Sequence, residues 1–263
     1  MSREMLHQLA TLGNTGRDGG GALSRLAFTD QDRAGRDLVR DWFLQAGLTV
    51  AVDQIGNIFG IWNPGGLDMS WPEHRPVMTG SHIDTVRNAG IYDGPLGVLA
   101  GLAAVKALMA RADETGTMPA RPMVVAVFGN EEGVRYTPDM MGSLVHAGGL
   151  DLATALNTAG TDGTRLGDEL SRIGYAGDMA PGTLRPAAFL ELHVEQGPVL
   201  EHAGDVIGVV ENLQGISWQR VTIAGTANHA GTTPTALRAD AGLAAARVQT
   251  YLADHLAGDT TVA

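Results

Sequence analysis

Two histidines and a series of carboxylates stand in this sequence where short apolar runs end. His82 closes the run that begins at Pro76, with Asp84 two residues on and Asp93 eleven residues on. A second run, Met123 to Phe128, opens into Gly129-Asn130-Glu131-Glu132-Gly133, and a third, Ala187 to Leu192, ends at His193. Imidazole and carboxylate together suit Zn, Mn, Co or Ni. In open α/β sheets, ligand sites form outside the carboxyl ends of the strands. The combination predicts a metal-dependent hydrolase.

Each group also has an ordinary reading, and its surroundings decide between the two. Asp93 precedes a helix, where any carboxylate is favoured by the positive end of the dipole. Asp84, however, lies close enough to His82 to orient its ring, as carboxylates do for metal-bound histidines. Glu131 and Glu132 follow a six-residue apolar strand that delivers them to the same edge as His82. On an irregular turn neighbouring side chains diverge, so one can hold a cation while the other takes a proton from water. Glu191, His193 and Glu195 recur at period two, which on a strand puts all three on one face. Three polar groups buried together without a ligand would be costly. His229, in Asn228-His229-Ala230-Gly231, has no carboxylate nearby and suits a substrate-contacting donor better than a ligand.

The elements that must carry these residues alternate between the two hydrophobic periods. Helices are predicted at 4–12, 31–47 and 95–111, and a hairpin at 49–62. Strands follow at 76–81, 122–128 and 187–193, then two more at 206–210 and 216–223 and a long helix at 234–256. Strands separated by helices indicate an α/β sheet. A boundary near 210 divides a catalytic α/β domain, 1–210, from a smaller α+β domain, 211–263.

Composition narrows the partners. Lys and Arg number 18 against 29 Asp and Glu, a net charge of −11, which opposes nucleic acid as a partner. With no cysteine, neither a disulfide nor a thiolate metal site is available. No apolar run is expected to reach the roughly 18 residues of a spanning helix, and the N-terminus lacks the order of a signal peptide. The expected location is therefore cytoplasmic, away from membranes.

Five segments together resemble the M20-type metal-dependent amidohydrolases, in the branch of N-carbamoyl-L-amino acid hydrolases, β-ureidopropionases and allantoate amidohydrolases. They are GSHIDTV (80–86), YDGPLGVLAGL (92–102), FGNEEGVRY (128–136), ELHVEQGPVLE (191–201) and NHAGTTP (228–234), followed by Arg238 and Asp240. ELHVEQGP is the most specific of them, since peptidase relatives tend to carry an acidic ligand at the place of His193. The resemblance implies a metallopeptidase-like three-layer sheet domain with a smaller lid. It implies two divalent ions, one held by His82, Asp93 and His193, with Asp93 bridging to a second held by Glu132. Glu131 would then be the general base, Asp84 the clamp of His82, Gln196 a substrate contact, and His229 the oxyanion donor, often across a homodimer.

The implied substrate is a small ureido or carbamoyl compound, most simply an N-carbamoyl-L-amino acid. Ile216-Ser217-Trp218, where allantoate-type members tend to be polar, favours that choice over allantoate. Members of this kind run on past the point matching Ala263, so the resemblance implies an incomplete lid and a missing terminal histidine ligand. A metal-binding chain without turnover is the alternative of another class.

Overall fold

Five short apolar runs pair into one mixed sheet in a computed structural model that describes residues 2–213, 215 and 219–255. The runs are β1 (Thr49–Val52), β2 (Ile58–Trp62), β3 (Val77–His82), β4 (Met123–Phe128) and β5 (Ala188–Leu190). Their spatial order is β1-β2-β4-β3-β5. β1, β2 and β4 are antiparallel neighbours, and β3 runs parallel to both β4 and β5. The β3–β4 register sets His82 opposite Phe128, so the turns after both strands leave the sheet at one level.

Side chains alternate between two cores, as the pleat requires. On β4, Val125 and Val127 join the larger cluster with Leu12, Phe43, Val98 and Leu102, whereas Val124 and Ala126 join the smaller one with Phe59, Met78 and Leu184. The larger cluster lies under the helices α1 (Ser2–Asn14), α2 (Asp30–Gln45) and α3 (Pro95–Thr115). Helix α2 starts where the Thr29 side chain accepts from the Asp32 amide, and it ends against left-handed Gly47. Its Val39 and Phe43 are fully buried, while Leu38 and Trp42 pack at the margin. Asp32 and Arg36 form a fully buried pair at 2.7 Å, and Arg36 also donates to the Gly56 carbonyl.

Helix α3 corrects one sequence expectation, because it is long and apolar enough to cross a membrane by length and composition. Val98, Leu99, Leu102 and Val105 are buried, and the helix packs on β3 and β4. Half of its apolar window is buried inside the molecule, against the sheet and α1.

Short helices α4 (Met141–His146), α5 (Leu152–Leu156) and α6 (Leu166–Arg172) lead to β5. That strand is shorter than the predicted 187–193. Pairing with β3 ends at Thr79 and Leu190, and the backbone beyond is irregular. Helix α7 (Val199–Ala203) follows the turn at Gly197-Pro198.

Chain contacts divide the molecule into residues 1–199 and 200–263. In the second unit, neither the strand expected at 206–210 nor the described part, 219–223, of the one expected at 216–223 forms. Val206, Val209 and Val210 are 79–93% exposed, and a β-branched run without a neighbour to take its N–H and C=O groups is no strand. Residues 216–218 and 256, parts of the predicted strand and helix, lie outside the described residues, as do 259–263. Helix α8 spans Ala241–His255 and does not begin at Pro234. The Asp240 carboxylate accepts the Leu243 amide and so caps it, while Pro234 leads only a 3-10 turn, Thr235–Leu237.

Candidate metal centre

All the predicted ligands lie in the first unit. His82 is the last residue of β3 and is 1% exposed. Its Nδ1 lies 2.9 Å from the Asp84 main-chain oxygen. A neutral imidazole that donates from Nδ1 presents a lone pair at Nε2. His193 is built the same way, with Nδ1 2.8 Å from the Val194 carbonyl. The two rings lie nearly parallel, with centroids 6.2 Å apart.

Both Nε2 atoms face carboxylate oxygen. His82 Nε2 lies 3.8 Å from Asp93 Oδ1 and 3.4 Å from Glu131 Oε2, and His193 Nε2 lies 3.2 Å from Asp93 Oδ1. Acceptors facing acceptors repel unless a cation or a proton lies between them. Two donors each about 2.1 Å from one cation at a tetrahedral angle sit about 3.4 Å apart. Donor atoms group within 4.8 Å of one another in two sets sharing His82, one with Asp93 and His193 and one with Glu131 and Glu132.

The electrostatics of these side chains suit a positive charge among them. Burial pushes Glu132 up to about 7 and also raises Glu131. One oxygen of Glu132, Oε1, is buried without a hydrogen-bond partner. Burial disfavours the His82 imidazolium, yet Asp84, Glu131 and Glu132 outweigh it and raise its pKa. A divalent cation answers all three imbalances. The residues present therefore fit one.

Local sequence explains why these groups converge. Gly94 has φ +79°, and a Cβ there would come within 2.6 Å of the His82 ring. Only glycine lets Asp93 and the start of α3 approach the imidazole so closely. Asp93 sits at the positive end of that 21-residue helix. Glu131 and Glu132 belong to a turn whose backbone is tied on two sides. The Gly142, Met141 and Met140 amides donate to the carbonyls of Gly129, Asn130 and Glu131. On the other side, Asn57 accepts the Gly129 amide and donates to the Gly142 carbonyl and to Asp53.

Asp84 meets the imidazole it was expected to clamp through its main-chain oxygen and not through its carboxylate. Its carboxylate is 3.9 Å from His82 Nδ1. Instead it accepts the amides of Glu131 and Glu132, each at 3.2 Å. The carbonyl of Asp84 orients the ring, while its carboxylate holds the acidic turn. The period-two face at 191–195 is also corrected, since the backbone there is not a strand and His193 keeps a third of its side chain exposed. Glu191 accepts from Ser81 Oγ at 2.5 Å, Glu195 accepts the Val199 amide, and Gln196 donates to Asp93 Oδ2 at 2.5 Å. Ser81 and Asn57 were not foreseen.

The remaining candidate, His229, lies in the second unit. Its Nδ1 accepts the amides of Gly231 and Thr232, and Arg238 donates to the carbonyls of Ala230 and Thr233 across the same turn.

The sequence profile of peptidase family M20/M25/M40 matches residues 78–260, which contain every residue of the centre. The chain belongs to that family. Within the family it is 41% identical over 228 residues to an N-carbamoyl-L-amino-acid amidohydrolase of Rhizobium meliloti, covering 87% of this chain and 53% of that protein. It is 39% identical over 254 residues to an N-carbamoyl-L-amino acid amidohydrolase of Geobacillus stearothermophilus, covering 92% of this chain and 58% of the relative. A solved structure, a hydantoinase/carbamoylase family amidase from Burkholderia ambifaria, superposes with a TM-score of 0.76 at 37% identity, over 97% of this chain and 60% of that one. The chain thus spans only about half to three-fifths of the length of these relatives.

Proposed function

We propose that this chain carries the cation-holding and proton-transferring part of an enzyme that hydrolyses the ureido C–N bond of N-carbamoyl-L-amino acids. The observation that carries the reading is the meeting of the His82 and His193 imidazoles with Asp93, Glu131 and Glu132. His82, Asp93 and His193 would hold one divalent ion, and Glu132 with the shared carboxylate a second. Such ions supply Lewis-acid polarisation of the carbonyl and a more acidic water.

The chain's own groups do the remaining work. Glu131 takes the proton of the attacking water and returns it to the leaving nitrogen. Its Oε2 lies 3.4 Å from His82 Nε2, at the mouth of the same donor group, where it can reach a water held there. Asp84 keeps Glu131 and Glu132 in place through their amides. His229 accepts two amides at Nδ1, so a neutral ring carries its hydrogen on Nε2 and offers a donor for oxyanion charge. Overall, one water and one N-carbamoyl amino acid give the amino acid, ammonia and carbon dioxide. Allantoate and N-carbamoyl-β-alanine are the competing substrates, since the same metal residues serve all three.

The test compares the unaltered chain with Glu131→Gln, each supplied with Zn or Mn and a panel of these three substrates and a dipeptide. Turnover of the N-carbamoyl-L-amino acid that Glu131→Gln abolishes, with bound metal retained, supports the reading. Loss of metal reassigns Glu131 as a ligand. Turnover of the dipeptide alone overturns the proposed activity, and bound metal with no turnover by the unaltered chain selects the reading of a metal-binding chain without catalysis.

A further inference from the structure

We propose that the hydrogen bond between Ser81 and Glu191 is the positioning device that holds His193 in the cation site. The inference rests on the metal-centre reading above and adds to it a pair of residues that touch no ligand atom.

Ladder pairing fixes β5 to β3 only as far as Thr79 and Leu190, three residues short of His193. Past that point Ser81 Oγ donates to Glu191 Oε1 at 2.5 Å, across 110 residues of sequence. A hydroxyl on a carboxylate is a charge-assisted bond, shorter and stronger than a neutral one. Ser81 is 2% exposed and immediately precedes His82, while Glu191 is two residues before His193. One bond therefore ties together the two segments that deliver the two imidazoles.

The next residue is held from the other side. A Cβ on Gly97 in the first turn of α3 would lie 2.6 Å from the Leu192 carbonyl and 2.8 Å from Ser81 Cβ. Glycine at 97 lets the 191–193 segment, β3 and α3 meet with no side chain between them. His193 itself is a third exposed, so side-chain packing alone does not fix it. Its lone pair is useful only if the backbone beneath it stays put. Partners that orient ligands are worth about 10- to 100-fold in metal affinity.

Calorimetric titration with Zn2+ alone on the 263-residue chain tests the pair. Ser81→Ala and Glu191→Ala should each weaken Zn2+ binding about tenfold, and the double variant should bind no more weakly than either single one. Glu191→Gln keeps an acceptor oxygen and should restore most of the affinity. Melting temperatures without metal should fall for Ser81→Ala and Glu191→Ala alike, since each breaks the same part-buried bond, and Glu191→Gln, which keeps the acceptor, should hold both the melting temperature and the affinity. Single variants that bind like the unaltered chain, losses that multiply in the double variant, or a glutamine as damaging as alanine would each overturn the inference alone. Failure of the unaltered chain to bind Zn2+ would overturn the metal-centre reading, and the inference with it.

Discussion

Asp84 shows how one residue serves two purposes through two different atoms. Its carbonyl takes the Nδ1 hydrogen of His82, and its carboxylate takes the amides of Glu131 and Glu132. Burial raises the pKa of that carboxylate, so holding it there has a cost that the two amides offset in part. Asp84→Asn should separate the roles. The carbonyl remains, and His82 keeps its aim. The amide nitrogen, however, now meets one of two N–H groups, donor against donor, and a buried donor left unsatisfied costs about 1–3 kcal/mol. Urea denaturation should record that loss, and a variant as stable as the parent would show that the two amide contacts carry nothing.

Among the elements, the junction between β3 and α3 tolerates no side chain at Gly94. Gly94→Ala forces a side chain against the His82 ring and onto a φ of +79°. Strain of that kind costs about 1–3 kcal/mol, and here it is relieved by pushing His82 aside. Thermal unfolding should show the lower stability, and Zn2+ titration a weaker affinity. A variant with unchanged affinity would mean that the imidazole is not held against this turn. The same elements show what a sequence can reveal. His82, Glu131 and Glu132 were legible because each stands just past a short apolar run, and a parallel register brings the ends of such strands to one level. Asn57 and Ser81 were not, because their partners lie 72 and 110 residues away and no local pattern records the contact. The valines at 206–210 misled for the opposite reason. They have strand composition, but composition does not supply a neighbouring strand. Position 193 was singled out by an argument about strand periodicity that the backbone does not obey, and the structure brings it beside His82 and Asp93 by an irregular segment instead.

For the whole molecule, acid is the informative perturbation. Asp162 is held down to about 2, first by the Thr164 hydroxyl and backbone and then by Arg135, which also binds Glu169 and the Ala27 carbonyl. A carboxyl whose folded pKa lies below its unfolded value adds stability that is complete above about pH 4 and disappears as pH falls towards 2. Glu169, lowered first by Arg172 and then by Arg135, acts in the same direction. Asp162→Asn should therefore flatten the stability profile between about pH 4 and pH 2, with little change in its shape near neutrality. An unaltered slope across that interval would show that the Arg135 cluster does not couple to folding. The side chain is 46% exposed, so solvent screening limits the size of the effect.

The manner in which the two imidazoles are aimed has a consequence for inheritance. Each ring is oriented by a peptide oxygen, of residue 84 in one case and residue 194 in the other. Every amino acid brings an identical oxygen to its position. Mutational drift at 194 can therefore alter bulk, charge or polarity at that point and leave the neighbouring histidine facing the same way. The genetic code can vary what surrounds these rings far more freely than it can turn them.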